Sequence, residues 1–140
     1  MSALFCCLTL HVPNVWQTCQ WYQLVFGLLP RYAAPDGSYA ELHTGDKTLA
    51  FASEALERRT FPVFRTNSFL EEPPGLHLSF LALDIEETFA RALRHGAVEV
   101  ARPGFRPWGR IEAAFRDPNG LLINLVSNPE TGPKQLGPAA

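Results

Sequence analysis

Two stretches of this chain follow one plan, and that repeat limits the possible folds more than any other feature. Residues 7–27 read CLTLHVPNVWQTCQWYQLVFG and residues 78–96 read LSFLALDIEETFARALRHG. Each opens with a short apolar run and passes a polar residue suited to capping a helix, Asn14 or Asp84. Apolar residues then recur at helical spacing: Val15, Thr18, Cys19, Tyr22 and Phe26 in the first copy, Ile85, Phe89, Ala92 and Leu93 in the second. Gly27 and Gly96 end the two runs. In the second copy Glu86 and Glu87 open the helix while Arg94 and His95 close it, which suits the helix dipole.

Three strands are predicted after each strand-helix unit. They fall near 30–34, 38–44 and 47–53 in the first copy and near 97–102, 110–116 and 121–127 in the second. Gly45-Asp46 joins the last two strands of the first copy, and Asn119-Gly120 joins those of the second. The plan is βαβββ twice. The predicted class is α+β, with curved mixed sheets around a concave cavity and helices on the outer face. Residues 1–127 are read as one domain: a first repeat at about 3–53, a crossover or lid at 54–75 and a second repeat at about 76–127. The tail 128–140, rich in Pro and Gly without apolar periodicity, is expected to be flexible.

The last strand raises a question of its own. In RDPNGLLINLV, residues 116–126, Asn124 interrupts an otherwise apolar run. A buried amide must be hydrogen-bonded or it costs about 1–3 kcal/mol. Asn124 is therefore either a fixture of the core or part of a site.

Composition excludes several classes of function. Hydrophobic residues make up 46% and charged residues 19%, so the chain is globular and not disordered. A net charge of −2 gives no electrostatic case for nucleic acid, and no basic helix suggests a membrane surface. The start MSALFCCLTL has no cationic segment and is cut off by His11 and Pro13, so it predicts neither signal peptide nor membrane span. Cys6, Cys7 and Cys19 are odd in number, and two of them are adjacent. That pattern argues for reduced thiols and a cytoplasmic setting.

With both copies placed, the chain resembles the vicinal oxygen chelate superfamily, which contains the glyoxalases, extradiol dioxygenases and bleomycin resistance proteins. The resemblance is carried by VPNVWQTCQWYQLVFGL, YAELHTGDKTLAFAS, PWGR at 107–110 and FRDPNGLLINLVS at 115–127, and it covers roughly residues 7–127. It implies the fold above but not one activity, since the scaffold hosts lyases, isomerases, oxygenases, transferases and binders. Metal-dependent members draw four ligands from the first and last strands of each repeat. Carried across, those positions fall on Cys7, Ala50, Leu78 and Asn124. Ala and Leu donate nothing, and a lone thiol beside a neutral amide does not make a divalent site. No metal and no cofactor are expected.

Other candidates are weighed against plainer roles. His77, one residue before Leu78, is expected to face the helices or solvent because strand side chains alternate. Cys7, Thr9 and His11 share one strand face, but residues four apart in a strand lie about 13 Å apart at roughly 3.3 Å per residue, too far for a Cys-His pair. His11 can line the cavity mouth or stand exposed at a strand end. Phe5 and Phe80 are placed on the inward register as pocket walls or filler. Trp108, in the hairpin ahead of the strand at 110–116, either stacks on a flat ligand or plugs the hairpin. Phe61, Phe64 and Phe69 in the long crossover serve a lid or pack on the core, and Glu41 and His43 read as solvated edge residues.

These readings converge on a metal-free small-molecule binder with no catalytic residues, similar to the bleomycin resistance branch. Its ligand would be largely apolar or aromatic, held by Phe5, Cys7, Thr9, His11, Ala50, Leu78, Phe80, Trp108 and Asn124. The alternatives are a metal-dependent lyase, isomerase or dioxygenase of the same superfamily, and a metal-free enzyme using His11 or Cys7. Trp16, Trp21 and Leu24 are surplus to the apolar stripe of the first helix, which predicts a homodimer.

Overall fold

The structure is a computed structural model that describes residues 2–127; the tail 128–140 lies outside the described residues. The elements run β1 (Cys7–Val12), α1 (Val15–Phe26), β2 (Pro30–Ala33), β3 (Tyr39–Thr44), β4 (Lys47–Ser53), α2 (Glu54–Glu57), β5 (His77–Leu81), α3 (Ile85–Arg94), β6 (Val98–Phe105), β7 (Ile111–Arg116) and β8 (Leu122–Val126). Apart from the short α2, this is the doubled βαβββ plan, an α+β fold. The chain divides between Asn67 and Ser68 into two compact units, one per repeat.

In the first unit the strand order is β1-β4-β3-β2, with β1 parallel to β4 and the other neighbours antiparallel. The α1 helix starts where the Asn14 side chain accepts from the Gln17 amide at 2.9 Å. It stops at Gly27, whose φ of 70° is left-handed backbone that favours glycine. Val15, Cys19, Tyr22 and Val25 are buried on its inner face, and the Tyr22 ring packs on Phe51 of β4 at 5.0 Å. Leu10 and Val12 of β1 are buried in the same core, so Cys7, Thr9 and His11 occupy the opposite face of that strand.

The second unit repeats the order as β5-β8-β7-β6, with β5 parallel to β8. Asp84 caps α3 by accepting from the Glu87 amide at 3.1 Å, and Glu87 pairs with Arg94 at 3.0 Å. Phe89 of α3 packs against the fully buried Phe115 of β7, at 6.2 Å between rings. Ile123 and Leu125 of β8 belong to the same core, and parallel pairing sets Leu78 opposite Ile123 and Phe80 opposite Leu125. Leu78 and Phe80 therefore face the helix. Their inward placement from sequence is corrected, because the apolar run of β5 carries large residues on both of its faces. Phe5 is corrected too: it precedes β1 and is 66% exposed.

The crossover packs on the unit it belongs to at each end. In the first unit, the Asn67 amide nitrogen donates to the His11 carbonyl at 3.0 Å, and the Phe64 ring meets the His11 imidazole edge-on at 4.4 Å. In the second, the Arg116 guanidinium lies over Phe69 at 4.7 Å and donates to the Glu71 carbonyl at 2.7 Å. No helix among the described residues is long and apolar enough to cross a membrane.

Candidate functional site

The tight turn between β7 and β8 determines what the second sheet presents. Asp117 is buried, and its Oδ1 accepts from the Asn119 amide at 2.8 Å and the Leu121 amide at 2.9 Å. The Gly120 amide donates to the Asp117 carbonyl at 2.8 Å with Gly120 at φ 88°. This locks the register in which Ala114 faces Asn124 and Glu112 faces Val126. Because strand side chains alternate, Glu112, Ala114, Leu122, Asn124 and Val126 share the face turned away from α3. On β5, Ser79 pairs with Asn124 and His77 with Leu122, so these two join them.

That face forms the floor of an open groove of about 610 Å³, walled also by Val100, Trp108 and Arg110. Its walls are largely apolar and its polar groups converge on one carboxylate. The Asn124 Nδ2 donates to Glu112 Oε1 at 3.0 Å, and the Trp108 indole N–H donates to Glu112 Oε2 at 2.5 Å. Trp108 is brought there by the β6–β7 hairpin, where the Gly109 amide donates to the Arg106 carbonyl at 2.9 Å with Gly109 at φ 88°. Arg110 lines the groove with its Nε buried and without a hydrogen-bond partner among the described residues.

The first unit carries a second polar face. Thr9 pairs with Ala50 and Glu41 with Ala50, so Thr9, Glu41 and Ala50 lie on one side with Cys7, His11 and Tyr39. Here the polar groups already have partners. Tyr39 donates to Glu41 Oε2 at 2.6 Å, and Arg31 Nε donates to Oε1 at 3.1 Å. Burial, then the hydrogen bond and the charge of Glu41, pushes the Tyr39 phenol well above its ordinary range. Cys7 Sγ lies 3.4 Å from the Thr9 hydroxyl. His11 Nε2 is 3.3 Å from Glu57 Oε2, with Phe64 against its ring. His11 is thus neither an exposed strand end nor an open cavity mouth. Ala50 is fully buried and offers no surface to a ligand.

Of the ligand-binding residues proposed from sequence, only Trp108 and Asn124 line the groove; Cys7, Thr9, His11 and Ala50 lie on the first unit, and Leu78 and Phe80 face the core of the second. Sequence reasoning turned His77 toward the helices or solvent, whereas it lines the groove, and it missed Ser79, Arg110 and Glu112. Counting back from the helix caps would have placed His77, which stands seven residues before Asp84 as Cys7 stands seven before Asn14. The alternation Arg110, Glu112, Ala114 against the apolar Ile111, Ala113 and Phe115 was a weaker signal for the others.

With that register the four positions that hold metal in the resembled superfamily are Cys7, Ala50, His77 and Asn124. They supply one thiol, one imidazole, one amide and a methyl group, which does not fit a divalent ion. Among the described residues, no group of three or more His, Cys, Asp or Glu is placed to hold one.

Comparison with known proteins follows the same outline. The family model described as Glyoxalase/Bleomycin resistance protein/Dioxygenase superfamily matches residues 7–125. No curated protein matches the chain. Among solved structures, a glyoxalase-related enzyme from Fulvimarina pelagi superposes with a TM-score of 0.78 at 16% identity, over 91% of this chain and 90% of that one. A glyoxalase/bleomycin resistance protein/dioxygenase from Nocardioides gives 0.70 at 21% identity, over 98% and 91%. TioX from Micromonospora sp. ML1 gives 0.67 at 20% identity, over 89% and 98%. Likeness at these identities speaks for the fold.

Proposed function

The chain is a member of the Glyoxalase/Bleomycin resistance protein/Dioxygenase superfamily, and from that premise we propose that it is a metal-free small-molecule binding protein. One observation carries the reading. In the groove of the second unit, Glu112 is fixed at both oxygens by Trp108 and Asn124, amid the apolar surfaces of Val100, Leu122 and Val126. A few oriented polar groups in a mostly apolar hollow are what a small-molecule site requires. The carboxylate accepts from neutral donors, so it is held in place as a recognition element. The ligand is largely apolar or aromatic, lying against Trp108.

The same reading includes a homodimer in the cytoplasm. Trp16 and Leu24 on α1 are 62% and 52% exposed, an apolar surface that a second copy would cover. Trp21 packs edge-on against Tyr22 and Phe26 and supports that surface from within.

Thermal unfolding in the presence of a panel of flat aromatic fragments, and separately of zinc, nickel, manganese and iron(II), tests the proposal. A fragment at a hundredfold excess over its Kd should add about 2.7 kcal/mol and raise the melting temperature by several degrees. Chelator should change nothing. A divalent ion bound one-to-one with submicromolar affinity, or a melt that no fragment moves, would overturn it.

A further inference from the structure

We propose that the ligand of this groove is a planar aromatic monocarboxylate bearing a hydrogen-bond donor, with its carboxylate on Arg110 and its ring against Trp108. This rests on the binding reading above and names its chemistry.

The cation comes first. The Arg110 side chain, which lines the groove, forms no hydrogen bond and no ion pair with any described residue, and its Nε is buried. The buried Nε is closed to water and to a ligand alike, whereas the terminal nitrogens of this lining residue, which donate to no described residue, are open to an acceptor that a ligand brings. Glu112, two residues along, is not that acceptor: its oxygens are held by Trp108 and Asn124, and it forms no ion pair with Arg110. The planar fork of Arg110 fits a carboxylate through two parallel hydrogen bonds. Phosphate shares that geometry, but a dianion would meet the negative charge of Glu112 in the same hollow. One cation and one anion among the lining residues favour a singly charged ligand.

The second polar requirement comes from Asn124. Its Nδ2 is committed to Glu112, which leaves Oδ1 as an acceptor with no partner among the described residues. A hydroxyl or amino group on the ligand meets it, or meets a remaining lone pair of Glu112. Between these two poles lie Trp108, Val100, Leu122 and Val126, which take the face and edge of a ring.

The test uses 6-hydroxy-2-naphthoate and its neutral isostere 6-hydroxy-2-naphthamide, titrated calorimetrically into the wild-type protein and the Arg110→Gln variant. The wild type should bind the acid about tenfold more tightly than the amide. Arg110→Gln should weaken the acid by about the same factor and leave the amide within about twofold, so that discrimination vanishes. The wild-type acid-to-amide ratio stands on its own if the variant fails to fold. Equal binding of acid and amide overturns the carboxylate assignment and leaves the binding reading intact, as does an unchanged ratio in a folded Arg110→Gln. Absence of binding by both probes up to about 5 mM also overturns it, a level at which even millimolar affinities register. The fragment panel then decides the broader reading separately.

Discussion

Gly120 gives the most exacting check on the turn that sets the groove's register. A Cβ at this position would lie 2.5 Å from Arg116 Nη2, 2.7 Å from the Ser68 carbonyl oxygen and 2.9 Å from the Phe69 Cα. Two of these neighbours are backbone, so they cannot swing aside as a side-chain tip can. Gly120→Ala must therefore displace the strand end or the start of the second unit. Either movement strains the Arg116 contacts, which are 2.9 Å from Nε to the Gly120 carbonyl and 2.7 Å from Nη2 to the Glu71 carbonyl. The left-handed backbone at φ 88° adds about 1–2 kcal/mol of strain for any side chain. A weakened hydrogen bond from a charged donor adds about 1.5–3 kcal/mol, and stiffening of the unfolded chain returns about 0.4–1 kcal/mol. The expected net loss is about 2–4 kcal/mol. Gly96→Ala is the matched control in the same unit. Gly96 has φ 100°, but an added Cβ meets only Pro118 Cγ at 4.0 Å, an ordinary contact. It should lose only the backbone strain less the same unfolded-chain term, a net of about 0.5–1.5 kcal/mol. Urea unfolding followed by far-ultraviolet circular dichroism measures both. If the two variants are equally destabilised, the close packing of residues 68–71 on the turn is refuted.

Asp117→Ala removes the acceptor for the Asn119 and Leu121 amides and leaves the Leu121 N–H buried, so urea unfolding should show a loss of about 2–4 kcal/mol, with Asp117→Asn losing less. Phe64→Ala takes away the ring that contacts His11 at 4.4 Å and lies under Arg58 at 4.1 Å. Loss of about 1 kcal/mol of local stability should speed limited proteolysis within residues 58–67 about fivefold, with unchanged cleavage elsewhere. Tyr39 carries the alkaline dependence. Its folded form keeps a proton that the unfolded chain releases near pH 10, so its contribution is complete below about pH 10 and falls as pH rises further. The unfolding midpoint of Tyr39→Phe should decline less steeply than wild type between about pH 9 and 11.

Much of the fold was legible because its signals are local. Asn14 and Asp84 cap helices through bonds to amides three residues on, and Gly27, Gly96 and Gly120 hold positive φ where the chain must turn. In β1 the polar residues Cys7, Thr9 and His11 alternate cleanly with Leu8, Leu10 and Val12, so its facing could be read. In β5 that contrast is absent. Leu78 and Phe80 alternate with Ser79 and Leu81, apolar residues stand at both parities, and the choice came out one residue off. What covers His11 was beyond reach for another reason. Glu57, Phe64 and Asn67 come from more than 40 residues away, across a crossover with no periodicity to place them. Glu112 likewise acquires meaning only once pairing with β8 puts Asn124 beside it.

The question Asn124 raised is settled by its partner. In the metal-binding relatives that the chain resembles, a carboxylate occupies this place on the last strand. Here the strand carries an amide, and the carboxylate stands on the neighbouring strand at Glu112, 3.0 Å from the Asn124 nitrogen. A glutamate at 124 would set two anions at that separation, and one of them would have to be protonated or paired with a cation. The amide removes the repulsion and converts contact into a hydrogen bond. It also keeps one acceptor oxygen of its own outside that bond. The change from acid to amide on one strand therefore does more than forfeit a metal ligand. The hollow then presents a fixed carboxylate and, without partners among the described residues, a carbonyl oxygen and a guanidinium, the pattern that the proposed ligand, with an acid at one end and a donor at the other, would meet.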